Sequence, residues 1–385
     1  MDLFEKAVFL GRAAKWDVFE GEEGEEGGLP RCWIYRAAAG GRRVPIFKTL
    51  LSNACRNNCL YCANRADRPV PRFSLTPEEF ARAFQFLWSR GLVEGAFISS
   101  SVEGDPDRTM EKILAAAEII RRNMGFQGYL HIKIMPGAKA EYVRRALELG
   151  SRISVNLEAA NEFILQKISP EKNFREILSL LEAGSRLREE SSFPVALTSQ
   201  IIIGLGEKDR DLLELSERLY RRFRIWRCYY SPFEPVPGTP LEKEPPAPKE
   251  REKKLYRADF LIRLYGFKAS EIPFSEEGEI LGSDPKLMWA LLHPDFFPVD
   301  VNRAPYHKLL RVPGIGPRSA RAILRVREKG GRVRTISELK ALGVDVRRAS
   351  PFIILEGRSP EASFTLPLEL SRSEEEFLRE VRRWF

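Results

Sequence analysis

Short hydrophobic runs alternate with longer amphipathic stretches through the middle of the chain, from about residue 43 to residue 235. Apolar runs of about four to eight residues are typical of buried strands, whereas apolar positions three and four apart are typical of helices. The alternation therefore predicts repeated strand–helix units around a parallel sheet, here a partial (βα)6 barrel of the TIM-like type. The six predicted strands are residues 46–51, 96–100, 129–134, 152–157, 196–203 and 227–230.

The flanking segments have other patterns. Residues 21–28 are acidic and glycine-rich without a hydrophobic period, which indicates a loop. After the barrel the chain becomes rich in Pro, Glu and Lys, and helical patterns follow. The predicted parts are an N-terminal extension, the barrel, a linker with a helical extension, a small all-α domain and a tail with an amphipathic helix, at residues 1–42, 43–240, 241–298, 299–358 and 359–385.

The basic residues are concentrated near the C-terminus. The chain has 62 Lys and Arg against 54 Asp and Glu, a formal charge of +8. Residues 301–358 alone contain 14 Lys and Arg against 4 Asp and Glu, so residues 1–300 are close to neutral. A localised positive field attracts polyanions, which favours a nucleic-acid partner for this part. A solvated, arginine-rich surface is the alternative.

Composition limits the class of protein. With 385 residues and 43% hydrophobic content, the chain can bury one large core and a second, smaller one. No apolar run approaches the roughly 20 residues that cross a bilayer, and the first residues lack a secretion signal. These features predict a cytoplasmic protein with no membrane partner. Three of the 5 cysteines lie close together, which indicates metal chemistry in a reducing compartment rather than disulfides.

These three thiols are Cys55, Cys59 and Cys62, directly after the first predicted strand. Three thiolates on one short loop can bind a single soft metal or three irons of a cubane cluster. A zinc site normally needs four ligands. The remaining cysteines, Cys32 and Cys228, are distant in sequence, and no histidine is near. The spacing therefore favours an iron–sulfur cluster with one iron left without a protein ligand, with zinc as the alternative.

This spacing, with the aromatic Tyr61 before the last cysteine, resembles the signature of the radical S-adenosylmethionine (SAM) superfamily. The resemblance implies that Cys55, Cys59 and Cys62 bind a 4Fe-4S cluster whose open iron chelates SAM, and that Tyr61 packs near the adenine. It also implies that reductive cleavage of SAM gives a 5'-deoxyadenosyl radical, which abstracts hydrogen from the substrate. An electron donor such as a flavodoxin or ferredoxin is then expected as a partner.

Three later segments fit the same family in the same order. Residues 97–103 stand where the family has a Gly-Gly-Glu-like edge, residues 154–158 offer polar groups suited to ribose, and residues 200–207 resemble an adenine-contact motif. Serines replace the glycines of the first motif, and Gln200 replaces the first glycine of the last. An ordinary core strand that ends in a loop is the alternative for each. The SAM-binding residues that the resemblance implies are Ser99, Ser100, Ser101, Glu103, Asn156, Glu158, Gln200 and Gly204.

Three further features of the barrel have two interpretations each. The aromatic and proline-rich segment 229–240 either lines a substrate pocket or steers the chain out of the barrel. Cys228 is either a hydrogen-atom donor or, as buried cysteines usually are, a packing residue. His131 is either a proton donor facing the barrel interior or a hydrogen-bonded strand histidine.

A second motif lies in the basic region, where an apolar helix end, a Gly-Ile-Gly turn and an Ala-rich helix follow one another at residues 309–324. This order resembles the helix-hairpin-helix motif of DNA repair and recombination proteins. Glycines allow the backbone to approach a phosphate, and amides at a helix N-terminus attract it. A second, imperfect hairpin is predicted at residues 342–344, and a purely structural or protein-binding unit is the alternative. The predicted nucleic-acid-binding residues are Lys308, Pro313, Gly314, Ile315, Gly316, Arg318, Ser319, Arg321 and Arg325.

The two motifs together resemble a family of uncharacterised radical SAM proteins associated with DNA modification or repair. The sequence therefore predicts radical modification or repair of a base or sugar in DNA. A base in an intact duplex has to be extruded before it can reach a buried radical. The alternatives are a DNA-binding protein with a structural or redox-sensing cluster, radical modification of RNA or of a DNA-bound protein, and a small-molecule radical enzyme that uses its hairpins for oligomer contacts.

Overall fold

The computed structural model describes residues 3–14, 33–39, 42–191 and 193–357. The acidic segment 21–28, Cys32 and the tail predicted at 359–385 lie outside the described residues. The described chain falls into two compact units. The first contains the residues up to Glu207 together with Arg218–Pro248, and the second contains Lys208–Glu217 together with the residues from Lys249 onwards.

The first unit is built on one seven-stranded sheet. The strands follow one another across the sheet in chain order, β2 to β7 are parallel, and β1 pairs antiparallel with β2. The predicted set of parallel strands is therefore confirmed, and β1 is an addition that the hydrophobic pattern did not reveal. The strands are β1 Ile34–Ala39, β2 Arg42–Leu50, β3 Gly95–Ser99, β4 Tyr129–Lys133, β5 Arg152–Ser154, β6 Ala196–Ile203 and β7 Arg227–Pro232.

Helices connect the parallel strands, because two parallel neighbours need a long crossover connection, which is usually a helix. Helix α2 shows how they begin: Thr76 accepts a hydrogen bond from the Glu79 amide, and the Glu79 carboxylate accepts one from Thr76. Such a capping box stabilises a helix by roughly 0.5–2 kcal/mol. The helices are α1 Leu3–Ala13, α2 Pro77–Trp88, α3 Pro106–Glu118, α4 Ala140–Leu149, α5 Glu162–Ile168, α6 Phe174–Ser191 and α7 Asp209–Phe223.

The two faces of the sheet differ in chemistry. Ile98, Ile132, Ile153 and Leu197 lie in register across β3 to β6 and are completely buried. Leu197 contacts α6, so this aliphatic row faces the helices, and each side chain contributes about 1.5–3 kcal/mol by burial. Because alternate residues of a strand point to opposite faces, the neighbouring row faces the inside of the curved sheet. That row is more polar and includes Lys48, His131 and Arg152.

His131 is held within this inner row. Its Nε2 lies 2.8 Å from the Ser154 hydroxyl, and its ring stacks on Phe97 with centroids 4.2 Å apart. Burial, followed by the field of Arg152, lowers the pKa of His131 well below its ordinary value. This is the geometry of the hydrogen-bonded strand histidine, one of the two interpretations that the sequence left open.

The second unit is mainly helical. Its helices pack around Trp289, which makes edge contacts with Phe267 and Phe296. A short parallel pair, β8 Val299–Asp300 and β9 Ile353–Ile354, joins the segment before α10 to the segment after α13. Its helices are α8 Lys249–Tyr265, α9 Pro285–Leu292, α10 Tyr306–Leu309, α11 Pro317–Glu328, α12 Ile336–Ala341 and α13 Val346–Ala349. Within the described residues, no helix has the length and apolar content needed to span a bilayer.

Candidate functional site

The carboxyl ends of the parallel strands surround a cavity of about 160 Å³ in the first unit. Ligands of α/β barrels gather at this end of the strands, because the loops that follow the strands are free to vary there. Every parallel strand, or the loop that follows it, contributes to the wall of the cavity. Examples from β2 to β7 in turn are Cys59, Ser100, Met135, Glu158, Gln200 and Ser231.

The three cysteines of the predicted cluster motif all lie in this wall as free thiols. Cys59 is buried, and Cys55 and Cys62 are partly exposed. The loop that carries them is anchored to its neighbours through the backbone: the Arg56 amide donates to the Val102 carbonyl, and the Leu60 amide donates to the Ile168 carbonyl, both at 2.8 Å. The structure therefore brings together the three thiols that the sequence singled out.

Arg72 fixes the shape of the cysteine loop. Its two terminal nitrogens donate to five backbone carbonyls at 2.5–3.4 Å. A planar, permanently charged guanidinium is suited to collecting several acceptors at once. Arg72 lies ten positions after Cys62, outside the motif, and no pattern in the sequence singled it out. The five acceptors belong to Asn53, Asn64, Arg65, Ala66 and Arg68.

Two of the cysteine sulfurs have hydrogen-bond partners. Cys59 Sγ lies 3.0 Å from the Ser169 hydroxyl, and the Asn64 amide donates to Cys62 Sγ at 3.4 Å. Once a thiol has lost its proton to a metal, only the hydroxyl and the amide can donate in these pairs. Such outer donors orient metal ligands and adjust the potential of a cluster.

The electrostatics of the three thiols fit a cationic group. Burial, followed by the negative field of Cys59, raises the pKa of the Cys62 thiol to about 12. Three ionised thiols at this site therefore need positive charge, which iron supplies. A cubane cluster, in which each thiolate binds a different iron, needs three thiols, whereas a structural zinc ion normally takes four protein ligands. The three thiols therefore fit the cluster.

Lys172, which the sequence did not single out, adds a buried positive charge beside the thiols. Its Nζ lies 3.4 Å from Glu158 Oε1 and 3.4 Å from the Tyr61 hydroxyl, and the Lys172 side chain is 9% exposed. Burial acts to lower the pKa of Lys172, but the fields of Cys59 and Glu158 raise it above its ordinary value. Burial and the Glu158 charge raise the pKa of Tyr61. Lys172 is thus a cation and Tyr61 a neutral phenol.

Glu158 has an unusual backbone conformation for a residue with a side chain, with φ of 65°. Its amide donates to the Gln200 carbonyl, and its carbonyl accepts from the Ile202 amide, both at 3.0 Å. These bonds extend the sheet beyond β5 and hold the strained residue in place. Backbone strain of this kind is commonly found at functional sites.

A chain of amide and hydroxyl groups crosses the ends of β5 to β7. Asn156 Nδ2 donates to Gln200 Oε1 at 3.0 Å, and Gln200 Nε2 donates to the Ser231 hydroxyl at 2.7 Å. All three residues are buried and line the cavity. Because buried polar groups need partners, this chain fixes the orientation of each amide and leaves the remaining donors and acceptors for a ligand.

The other predicted SAM-binding residues divide into two groups. Ser100 and Ser101 lie in the cavity wall, whereas Ser99, Glu103 and Gly204 do not. The Glu103 carboxylate accepts from Lys112 Nζ at 2.8 Å and from the Ser74 hydroxyl at 2.9 Å. Gly204 has φ of 100°, and a Cβ there would meet the Ala247 Cβ at 2.5 Å. Gly204 therefore serves a tight turn.

The segment after β7 contributes to the wall through Phe233 and Glu234. Tyr229 lies deeper, and its hydroxyl accepts from Arg152 Nη1 at 3.0 Å. Cys228 is completely buried and outside the cavity wall, as expected of a packing residue.

The second predicted site is the hairpin between α10 and α11. Gly314 at its turn has φ of 82°, and a Cβ there would lie 2.3 Å from the Asp345 carbonyl oxygen. The Asp345 amide donates to the Gly314 carbonyl at 3.0 Å, so the turn after α12 packs directly on the first hairpin. Ile315 is buried beneath the turn. The second hairpin predicted at 342–344 is therefore present as a turn between α12 and α13.

The exposed side of the hairpin is basic. The side chains of Arg318, Arg321 and Arg325 lie on one face of α11, because they are separated by three and four positions. In the described part of the chain, none of these guanidinium groups makes a hydrogen bond or an ion pair. Lys308 is exposed on α10, and Ser319 is buried and accepts from the Gly316 amide at 2.9 Å. Pro313 is buried beside the turn.

Comparison with known proteins matches two regions of the chain, and they contain the cysteine loop and the hairpin described above. Residues 49–219 match the radical SAM superfamily, and residues 296–350 match the helix-hairpin-helix motif. The chain is 29% identical over 217 residues to 7,8-didemethyl-8-hydroxy-5-deazariboflavin synthase of Methanothermobacter thermautotrophicus, over 50% of this chain and 62% of that protein. It is 30% identical over 201 residues to the FeFe hydrogenase maturase subunit HydE of Thermotoga maritima, over 50% and 52% of the two chains.

The chain spans about half to three fifths of the length of these curated relatives. Among solved structures, the hydrogenase maturase HydG aligns with a TM-score of 0.47 and 15% identity, over 68% of this chain and 53% of that one.

The radical SAM superfamily uses a 4Fe-4S cluster and SAM. The three thiols at the strand ends, with a buried cation beside them, fit that cluster. The match of residues 49–219 to the radical SAM superfamily therefore agrees with the chemistry of the cavity, and residues 296–350 match a helix-hairpin-helix motif.

Proposed function

We propose that this protein is an enzyme that uses a 4Fe-4S cluster and SAM to modify or repair a base or sugar of DNA. The observation that carries the proposal is the presence, in one chain, of a cavity lined by three thiols and of a basic hairpin with free cations. The first supports radical chemistry, and the second supports a polyanionic substrate.

In the cavity, Cys55, Cys59 and Cys62 would hold the cluster. When bound, the cluster and SAM supply a 5'-deoxyadenosyl radical that removes a hydrogen atom from a C–H bond. The chain supplies binding, orientation and exclusion of water. Lys172 offsets the negative charge of the thiolates, and the Ser169 hydroxyl and Asn64 amide donate to sulfur.

We assign SAM binding to the polar groups that face the cavity. Tyr61, which contacts Lys172, would pack near the adenine, and Asn156 and Gln200 would offer hydrogen bonds to the ribose and base. Ser100 and Ser101 take the place of the glycine edge that holds the amino group. Glu158 contributes through its ion pair with Lys172. Ser99, Glu103 and Gly204 act behind this surface, by supporting strand ends and turns.

At the hairpin, the backbone approaches a phosphate of DNA. Gly314 and Gly316 let the turn pack tightly in place, and the amides at the N-terminus of α11 attract the anion through the helix dipole. Lys308, Arg318, Arg321 and Arg325 add contacts to neighbouring phosphates. Contacts of this kind bind DNA without reading its sequence and weaken as salt rises. Selectivity for the modified position then belongs to the cavity.

Two further properties follow from the same chemistry. The reacting base is extruded from the duplex, or is single-stranded, because the cavity lies inside the barrel. Because cluster chemistry needs reduced thiols and a source of electrons, a cytoplasmic location and an electron donor such as a flavodoxin or ferredoxin are part of the proposal.

The test is electron paramagnetic resonance of the anaerobically reconstituted, reduced protein before and after addition of SAM. A reduced-cluster signal that changes with SAM supports the proposal, and DNA should then stimulate formation of 5'-deoxyadenosine more than RNA or a DNA-bound protein does. A cluster signal that saturating SAM leaves unchanged indicates a structural or redox-sensing cluster on a DNA-binding protein. Stimulation by RNA or by protein instead identifies those substrates.

A further inference from the structure

Two helices that precede the hairpin motif, α8 and α9, each place one side chain directly under its turn. The first indication is Gly316, the second glycine of the turn. Its φ of −104° is open to any residue, so its conformation does not require glycine. A Cβ at this position would lie 3.2 Å from the hydroxyl oxygen of Tyr265, at the end of α8. Gly316 is thus small because the Tyr265 hydroxyl occupies the space beside it.

The second indication is Lys286, in the first turn of α9. It is only 7% exposed, and its Nζ donates to the Ile315 carbonyl in the middle of the turn at 2.6 Å. The same Nζ lies 4.7 Å from the centroid of the Tyr265 ring. The two side chains therefore meet directly under the Gly-Ile-Gly turn.

Lys286 has no acidic partner within the described residues. Its only polar contact there is the carbonyl of Ile315. The nearby charges are Arg311, which pairs with Glu271, and Arg348, which pairs with Asp284. Burying an ammonium group without a countercharge is unfavourable, because its hydration is lost without compensation. An anion bound at the turn would supply the missing charge.

We infer that Tyr265 and Lys286 complete a site for one backbone phosphate of a nucleic acid at the hairpin. The Tyr265 hydroxyl donates to a phosphate oxygen beside Gly316, together with the first amides of α11. Lys286 is a positioning residue, which holds the turn through the Ile315 carbonyl and places a positive charge behind it. This inference rests on the proposed function, in which the hairpin binds DNA.

The site differs from the surface arginines in its dependence on geometry. Arg318, Arg321 and Arg325 lie on long, exposed side chains that can follow many phosphate positions. Tyr265 and Lys286 are packed in place and favour a single position. Loss of the Tyr265 hydroxyl should weaken binding while leaving the salt dependence nearly unchanged, because the hydroxyl carries no charge. Loss of the Lys286 charge should make the salt dependence slightly less steep.

The test measures binding of the full-length protein to a short fluorescein-labelled DNA by anisotropy, for Tyr265→Phe and Lys286→Met. Tyr265→Phe keeps the ring that lies against Lys286 and removes only the hydroxyl. We expect affinity to fall by about threefold to tenfold for Tyr265→Phe and by about tenfold for Lys286→Met. Lys253→Met, which removes an exposed lysine of α8, is the control for net charge and should bind as the wild type does.

The pH profile separates a charge effect from a packing effect. Burial, followed by the field of Arg311, lowers the pKa of Lys286 to about 7. The ammonium is charged below that pH and loses its charge as the pH rises, so DNA affinity should fall through pH 7. Lys286→Arg, which keeps the charge, should remove this dependence, and so should Lys286→Met. Tyr265 and Arg311 also face Lys286, and burial raises the pKa of Tyr265 above its ordinary value, so that its hydroxyl stays neutral in this range.

The outcomes distinguish this inference from the proposed function. If Arg318→Glu/Arg321→Glu abolishes binding while Tyr265→Phe and Lys286→Met bind like Lys253→Met, the hairpin binds DNA. The inferred role of Tyr265 and Lys286 in the phosphate site is then wrong. If Arg318→Glu/Arg321→Glu binds as the wild type does, the proposed function is wrong. If Lys286→Met lowers the unfolding temperature, Tyr265→Phe alone decides, since removal of its hydroxyl opens no cavity.

Discussion

The cavity and the hairpin are both candidate binding sites, but the chain builds them in opposite ways. The wall of the cavity draws on residues from Ala13 to Glu234, which meet only because the whole sheet brings its strand ends together. The hairpin is one continuous segment, residues 309–324, with Asp345 packed against its turn. The cavity therefore depends on the complete fold of the first unit, whereas the turn and the exposed arginines of the hairpin come from one continuous segment.

The two sites also differ in their use of charge. Cys59, Glu158 and Lys172 are buried around the cavity, where each charge acts strongly on its neighbours. Arg318, Arg321 and Arg325 of α11 are exposed to water, where salt screens each of them. Single substitutions should have large effects at the cavity, and the hairpin should respond in smaller steps that depend on ionic strength.

The largest effect is expected from Cys59→Ala. Removal of this buried thiol leaves two ligands for the cluster, so iron content and 5'-deoxyadenosine formation should be lost almost completely. DNA affinity should stay at the wild-type value, because the hairpin is untouched. Iron and sulfide assays, product analysis and anisotropy give the three readings. Cys228→Ser, at a buried cysteine outside the cavity wall, should keep its cluster, and equal loss in both variants would contradict the assignment.

A charge reversal at Arg318→Glu/Arg321→Glu is expected to lower DNA affinity by about a hundredfold or more at low salt, with a smaller loss at high salt. The cluster and its response to SAM should be unchanged. Anisotropy titrations at several salt concentrations give the result. Arg144→Glu/Arg175→Glu makes the same charge change on exposed helix positions of the first unit. Equal loss in that control would show that net charge, not the hairpin, binds DNA.

A third prediction tests how tightly the turn is packed. Gly314→Ala places a Cβ at 2.3 Å from the Asp345 carbonyl oxygen, in addition to the strain of φ at 82°. The free energy of unfolding of the second unit should fall by about 2–4 kcal/mol. Gly330→Ala is a matched control with φ of 76° and nothing within 4 Å, so strain alone should cost about 1 kcal/mol. Urea unfolding measures both, and equal losses would mean that Asp345 moves aside without cost.

The smallest effect is expected from Ser169→Ala. The hydroxyl lies 3.0 Å from Cys59 Sγ, and a donor to a cluster thiolate stabilises the reduced, more negative state. Its removal should lower the midpoint potential by roughly a few tens of millivolts, since 59 mV corresponds to a tenfold change for one electron. A redox titration followed by electron paramagnetic resonance measures the shift. Ser179→Ala, on the exposed side of α6, should leave the potential unchanged.

The way in which each site is built also explains which of its residues could be predicted from the sequence. The cysteines and the Gly-Ile-Gly turn were found because their chemistry depends on spacing over a few residues. The parallel strands were found because each one is a separate apolar run. Strand β1 was missed, since the run Ile34–Ala39 is rich in alanine and has no regular alternation.

Residues that act through tertiary packing left no pattern to detect. Lys172 and Ser169 come from the loop after α5, where a lysine or a serine is unremarkable until the fold places it beside a thiol. Glu103 shows the converse, because its place in the sequence fits a ligand-binding edge while Lys112 and Ser74 bind its carboxylate. Local spacing predicts ligands for a cluster, and three-dimensional structure is needed to find the groups that support them.

Arg72 bears on whether the cysteine loop keeps its shape after oxygen has destroyed a cluster. Small zinc domains unfold when their metal is removed, because the metal itself orders the ligand loops. Here the Arg72 guanidinium already donates hydrogen bonds to five backbone carbonyls in and around the cysteine loop. The conformational entropy of that loop is lost once, when the protein folds, rather than each time iron is inserted. A molecule whose cluster is destroyed by oxygen can thus remain folded and receive a new one.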